Sequence, residues 1–413
     1  MRFHPFLALR AAPEVAADIA APPYDVVDRA EARRLAEGQP RCFLRVSRPD
    51  LEFSDDVPPD DPAVYRRAAE RLAQFQAEGW LIRDVAPAYF LYRLAVGAHE
   101  QRGVVGVCDV RDYESGAIRR HEKTRAAPEA DRIRHTEAIN ANAGPVLMAW
   151  PGDPRFAALC AEAEASAPLY DLRRPDGVRH TIWRFQQSEA LQALFSRASA
   201  FYIADGHHRA ASAAAVAARR RAADPRHTGE EEYHRFLAAV FPADQLRIGP
   251  YNRLIRDLKG LTAAAFREAV ARRFDVRPAA GPIPSGPGRL ALWLQGCWHE
   301  LSWTLTDAER ADPVAALDVS VLQNRLLGPV LGVRDPRTDP RLIFRGGAHS
   351  AEALAAAAAR GEGAAVFSLW PVSIAQLMAV ADAGLTLPPK STWFEPKLLS
   401  GLLIHPLDDA SGQ

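Results

Sequence analysis

Apolar residues recur every three to four positions over residues 28–37 and 62–79, which predicts two amphipathic helices. Residues 88–96 and 101–110 instead carry β-favouring apolar runs at a separation that predicts an antiparallel pair, closed by a turn at 111–116. A short buried strand is expected at 145–150, a helix at 153–167, a strand at 180–185, a helix at 188–198 and a strand at 235–241. Residues 252–274 read as largely helical. Proline, glycine and alanine then dominate 277–288, the best internal candidate for a linker. Beyond it come strands at 289–294 and 300–305, a helix at 314–331, a strand at 342–345, a helix at 351–359, a strand at 364–369 and a helix at 373–383. Mixed strands and helices of this kind predict an α+β (mixed α/β) chain: a core domain over 1–276 and a smaller α/β unit over 289–413.

Between the apolar, partly β-favouring residues 199–204 and the alanine–arginine helix expected over 210–222 lies Asp205-Gly206-His207-His208-Arg209. This places the box at a helix N-terminus. Unpaired backbone N–H groups and the helix dipole favour an anion there, Gly206 permits close backbone approach, and Arg209 can fork onto phosphate oxygens. Taken singly, each residue has a plainer account: an Asp-Gly turn, a capping aspartate, a solvated arginine. Two adjacent imidazoles in the same turn favour a built site. A metal set is not expected, since neighbouring helical residues point about 100° apart and no cysteine or spaced histidine completes a tetrahedron.

At 413 residues the chain exceeds the usual size of one core, so two domains are the expectation. Charged residues make up 25% and the formal net charge is zero, which gives no electrostatic reason to expect nucleic acid or an anionic membrane. Cys42, Cys108, Cys160 and Cys297 form no CxxC pair, so neither a disulfide framework nor a structural zinc is suggested. With no apolar signal region at the start and no apolar stretch of about 18 residues, the chain is expected to be cytoplasmic. The cations are almost all arginine; only Lys123, Lys259, Lys390 and Lys397 are lysine. A retained ammonium suits a compact phosphate counter-charge.

Two more polar segments stand out. His121-Glu122-Lys123-Thr124, followed by Asp131-Arg132 and Asn140-Ala141-Asn142, offers Glu122 as a general base and Lys123 as a phosphate counter-charge. A solvated helix face is the plainer account of the same residues. Residues 387–398 combine prolines, Lys390, Ser391, Thr392, Trp393, Phe394 and Lys397, in a stretch that cannot be regular helix. They read either as an anion site or as an arm pinned by aromatic burial.

Four segments, Ala21-Pro22-Pro23-Tyr24-Asp25-Val26, the His121 segment with Asp131-Arg132, Ala204 to Arg209, and Pro388 to Thr392 with Pro396-Lys397-Leu398, together resemble a bacterial and archaeal family catalogued as domain of unknown function 1015. Trp393 and Glu395 depart from the tyrosines of typical members, and Leu387 from the usual methionine. The Asp-Gly-His-His-Arg box is further similar to that of free-serine kinases built on the ParB/sulfiredoxin fold. That resemblance implies a ParB/sulfiredoxin-like, nucleotide- or phosphate-binding core with inserted elements, and a kinase acting on free L-serine or a similar hydroxyl. ATP, ADP or pyrophosphate would be the donor and Mg²⁺ the accompanying ion. It implies Glu122 and Asp205 as catalytic, and Gly206, His207, His208, Arg209, Lys123, Lys390, Ser391, Thr392 and Lys397 around phosphate. Tyr24, Asp25, Arg132 and Asn142 would face the substrate. Two other activities remain open: a ParB-type nucleotide switch with no small acceptor, and a phosphatase using the same site.

Overall fold

The structure, a computed structural model, describes residues 1–347 and 349–408. The chain divides into two compact units: Met1–Leu246 together with the segment from Pro396 on, and Arg247–Glu395. No helix among the described residues is long and apolar enough to cross a membrane.

The first unit is built on a nine-stranded mixed sheet. Its order runs Ile118–Arg119, Phe201–Asp205, Val146–Trp150, Arg235–Pro242, His99–Asp109, Phe90–Val96, Arg179–Arg184, Tyr170–Arg173, with Phe3–His4 paired beside His99–Asp109. The hairpin expected from the alternation at 88–110 is present, Val96 opposite His99, with Gly97 supplying the positive φ of the turn. Gly103 lies in the long strand because a Cβ there would sit 2.6 Å from the Phe241 ring of the neighbouring strand. Phe3, Tyr89, Trp150, Phe195 and Phe201 fill one core beneath the sheet.

Strand Phe201–Asp205 sits between Ile118–Arg119, parallel, and Val146–Trp150, antiparallel. Its register with Val146–Trp150 shifts between Ile203 and Asp205. Such a bulge re-aims the side chains at the end of a strand. Helix His207–Ala223 follows at once and buries Ala210, Ala213, Ala214 and Ala217, small residues that let it lie close on the sheet and on helix Ala126–Ile139. A second sheet runs Leu81–Arg83, Leu9–Ala11, Leu403–Pro406, Ala141–Asn142, so the last described strand is gripped by segments from the beginning and middle of the chain.

In the second unit, six antiparallel strands run Asp275–Pro278, Cys297–Ser302, Arg289–Leu294, Ala365–Leu369, Tyr251–Ile255, Leu342–Gly346. This corrects the helix expected over 252–274, since only Ala263–Ala271 is α-helical there. Tyr251–Ile255 is an inner strand, paired on both sides, and the buried Asn252 side chain ties it to Ser350 and to the backbone of Leu369. The division therefore falls at 246/247, and the proline–glycine stretch 277–288 lies within the second unit, linking strands Asp275–Pro278 and Arg289–Leu294. The helix expected at 314–331 is reduced to Asp318–Leu322 and the π-helical turn Gln323–Leu327, after which Gly328-Pro329 ends it.

Candidate functional site

The bulged strand delivers Asp205 to the mouth of helix His207–Ala223, with Gly206 as the N-cap at φ 97. An L-side chain is strained in that conformation, and a Cβ on Gly206 would meet the Arg209 guanidinium at 3.0 Å. Arg209 thus folds back over the glycine. Its Nη1 donates to the Pro145 carbonyl, and its Nη2 lies 3.5 Å from Asp205 Oδ2 and 3.9 Å from Asp25 Oδ2. Lys397, from the returning C-terminal segment, donates to Asp205 Oδ2 at 3.2 Å. Burial alone would raise the Asp205 pKa; Lys397 and then Arg209 outweigh it and hold the carboxyl well below the usual carboxylate range.

His207 is buried and meets His121 edge-on, with ring centroids 4.4 Å apart. Burial, reinforced by His121, pushes the His207 pKa well down, and burial brings His121 to about 4, so both rings are neutral at pH 7. Glu122 Oε2 stands 3.8 Å from His207 Nδ1. Its carboxylate is nearly half exposed and Lys123 beside it is exposed. His208 Nε2 accepts the Arg125 N–H at 3.1 Å, which ties the box to the start of helix Ala126–Ile139. His121 is a further residue of this site, whose place next to Glu122 in the sequence is a signal for it.

Arg209 also lines a cavity of ≈ 40 Å³, together with Tyr24, Arg132, His135, Asn142, Gly144 and Ser400. The Arg132 guanidinium stacks 4.0 Å from the Tyr24 ring centroid and is fixed by Asp131 at 2.6 Å, which in turn accepts the Tyr65 hydroxyl. Burial, then Asp25, pushes the Tyr24 phenol up to about 12, so it stays a hydrogen-bond donor. Asn142 Oδ1 accepts the Leu237 N–H at 3.2 Å. His135 and Ser400 are further lining residues that the residue pattern did not mark.

The first unit thus brings Tyr24, Asp25, Glu122, Arg132, Asn142, Asp205, His207, His208, Arg209 and Lys397 to the two sides of one arginine. Lys390, Ser391 and Thr392 belong to the second unit. There Lys390 sits at φ 56 with its Nζ 5.7 Å from the Tyr251 ring centroid, and the Ser391 hydroxyl donates to the Pro388 carbonyl at 2.6 Å. Trp393 packs flat on Gly346, where a Cβ would lie 2.3 Å from the indole. The loop is pinned by aromatic burial.

The carboxylates around Arg209 do not fit a dedicated Mg²⁺ cage. Asp205 Oδ2 is already held by Lys397 and Arg209, Asp25 faces Arg209, and among the described residues the three-ligand cluster found lies elsewhere. The cations that the structure places beside Asp205 are Lys397 and Arg209.

Residues 3–320 match the family model described as "Protein of unknown function (DUF1015)". No curated protein matches the sequence. Among solved structures, a conserved hypothetical protein from Pyrococcus furiosus is 14% identical with a TM-score of 0.35, over 72% of this chain and 94% of that one. A free serine kinase in complex with AMP is 13% identical with a TM-score of 0.38, over 73% and 90%. SbnI with C-terminal truncation from Staphylococcus aureus is 12% identical with a TM-score of 0.38, over 73% and 87%. Likeness at this level does not transfer residue roles.

Proposed function

The chain belongs to the DUF1015 family, and on that footing we propose that it is a phosphotransferase, moving a phosphoryl group from a nucleotide or pyrophosphate to the hydroxyl of a small molecule, L-serine foremost. The observation that carries this reading is the meeting of Glu122, the His207–Arg209 helix start, Asp205 and Lys397, drawn from three distant parts of the sequence. Phosphoryl transfer asks the protein chiefly for position and charge neutralisation, which two fixed cations and a helix N-terminus supply.

In this mechanism the donor phosphate lies against the first-turn N–H groups of the helix that begins after Gly206. Arg209 and Lys397 neutralise its oxygens. Asp205, expected to be catalytic, is better placed as a positioning residue: a carboxylate held ionised between two cations is a poor base, and it sets the separation of those cations. Glu122, nearly half exposed and beside a neutral imidazole, takes the proton of the acceptor hydroxyl. The cavity bounded by Tyr24, Arg132 and Asn142, which Arg209 also lines, would receive the rest of the acceptor.

Glu122→Gln tests the assignment. Transfer from ATP, ADP or pyrophosphate to L-serine, in a panel of amino acids, should fall at least about 100-fold in kcat, with donor affinity unchanged. An unaltered kcat removes Glu122 as the base. Phosphate release at the same rate with and without every acceptor removes the transferase reading and favours a nucleotide switch.

A further inference from the structure

Helix His207–Ala223 is joined to strand Arg235–Pro242 by residues 224–234, which contain His227, Glu231 and His234. One ligand atom from each of these three lies within 4.8 Å of the other two. His234 is only 2% exposed, yet neither of its ring nitrogens has a hydrogen-bond partner, and the buried Nδ1 of His227 has none either. Leaving a buried polar group unsatisfied is costly, so three in one place mark a site built around something else.

Glu231 is held open toward them. Its Oε1 accepts the Thr228 N–H and hydroxyl at 2.6 and 2.8 Å, its Oε2 accepts the Gly229 N–H at 3.0 Å, and that Oε2 faces His234 Nε2 at 3.4 Å. The edge of a tetrahedron with metal–nitrogen and metal–oxygen bonds of about 2.0–2.2 Å is about 3.4 Å long. Imidazole ligates a metal in its neutral form, and His234 is buried with both ring nitrogens unsatisfied. Arg221, the nearby cation, is paired with Glu114.

We propose that His227, Glu231 and His234 bind one divalent ion of the zinc class, through two imidazoles and a carboxylate with water as fourth ligand. The 17-residue helix separates this site from the phosphate turn by about 25 Å. The ion's role is to fix the connection 224–234 onto the sheet. The proposal departs from the expectation that no metal set is present; its His-x3-Glu-x2-His spacing stands in the sequence, remote from the Asp205 box.

Equilibrium dialysis of the metal-stripped full chain against zinc chloride should give one bound ion per chain, and cobalt(II) should give the intense visible bands of a four-coordinate site. Glu231→Gln and His227→Ala should each weaken zinc binding at least about 10-fold, whereas His208→Ala in the phosphate turn should leave it unchanged. Zinc should also slow hydrogen exchange of the 224–234 peptide in the unsubstituted chain, a readout that needs no variant to fold. Absence of saturable binding, affinity indifferent to both substitutions, or no added protection of that peptide overturns the proposal.

Discussion

Replacing Lys397 by Met removes one of the two cations holding Asp205, and the size of the loss follows from the geometry. At 3.2 Å and an effective dielectric constant of about 20, the pair attracts by roughly 5 kcal/mol before desolvation is counted. Desolvation offsets much of that, and Arg209 remains 3.5 Å away as a second partner. The side chains are 21% and 30% exposed, so the coupling should exceed the roughly 0.2–1 kcal/mol of a surface pair and fall short of the 3–5 kcal/mol lost on breaking a fully buried one. A double-mutant cycle of K397M, D205N and the double variant should give about 2 kcal/mol at pH 7. Hydrogen exchange on peptides covering Phe201–Asp205 and His207–Ala223 keeps the measurement on the first unit. Because the folded Asp205 pKa is depressed, its contribution is complete above the unfolded value near 3.9 and is lost as the pH falls below it. Coupling under about 0.5 kcal/mol at pH 7, or coupling that grows as the solution is acidified toward pH 4, would refute this account of the triad.

Gly206→Ala should cost about 1–3 kcal/mol through backbone strain and displace Arg209, seen as a lower unfolding midpoint of the first unit together with weaker donor binding; an unchanged midpoint contradicts the φ of 97. Gly103→Ala, which drives a methyl into the Phe241 ring, should cost a similar 1–3 kcal/mol in urea unfolding while donor affinity stays the same. Burial lowers the pKa of His121 to about 4, His135 to about 3 and His180 to about 4. Each is neutral in both states above about pH 6.5; below that the unfolded chain takes up protons that the folded one refuses, so stability falls with pH by up to about 1.4 kcal/mol per unit for each ring. Exchange protection of the first unit measured at pH 6.5 and 5 should show this slope, and a flat profile would deny that the rings are buried neutral.

The hairpin at 90–109 and the strand–turn–helix around Gly206 were legible because alternation, alanine content and a glycine all point the same way locally. Tyr251–Ile255 was not. Its short apolar run reads equally well as helix, and only pairing with Leu342–Gly346 and Ala365–Leu369, roughly 90 to 115 residues away, decides it. The motifs named Glu122, Arg209 and Lys397 as candidates, but which lysine reaches Asp205 depends on the C-terminal return, which no local pattern encodes. Lys390 and Lys397 look equivalent in sequence, seven residues apart, yet they fall in different units.

That return has a consequence for biosynthesis. Strand Leu403–Pro406 completes a sheet begun by Leu9–Ala11, and Lys397 supplies a cation to the phosphate turn. A ribosome that has delivered the first 395 residues has made all of the second unit but only part of the first, whose proposed centre still lacks one of its two charges. The segment from Pro396 on thus joins the first unit only after all of 247–395 has been made. The segment 247–395 is, in the logic of the gene, an insert that the first unit must wait for before it can close.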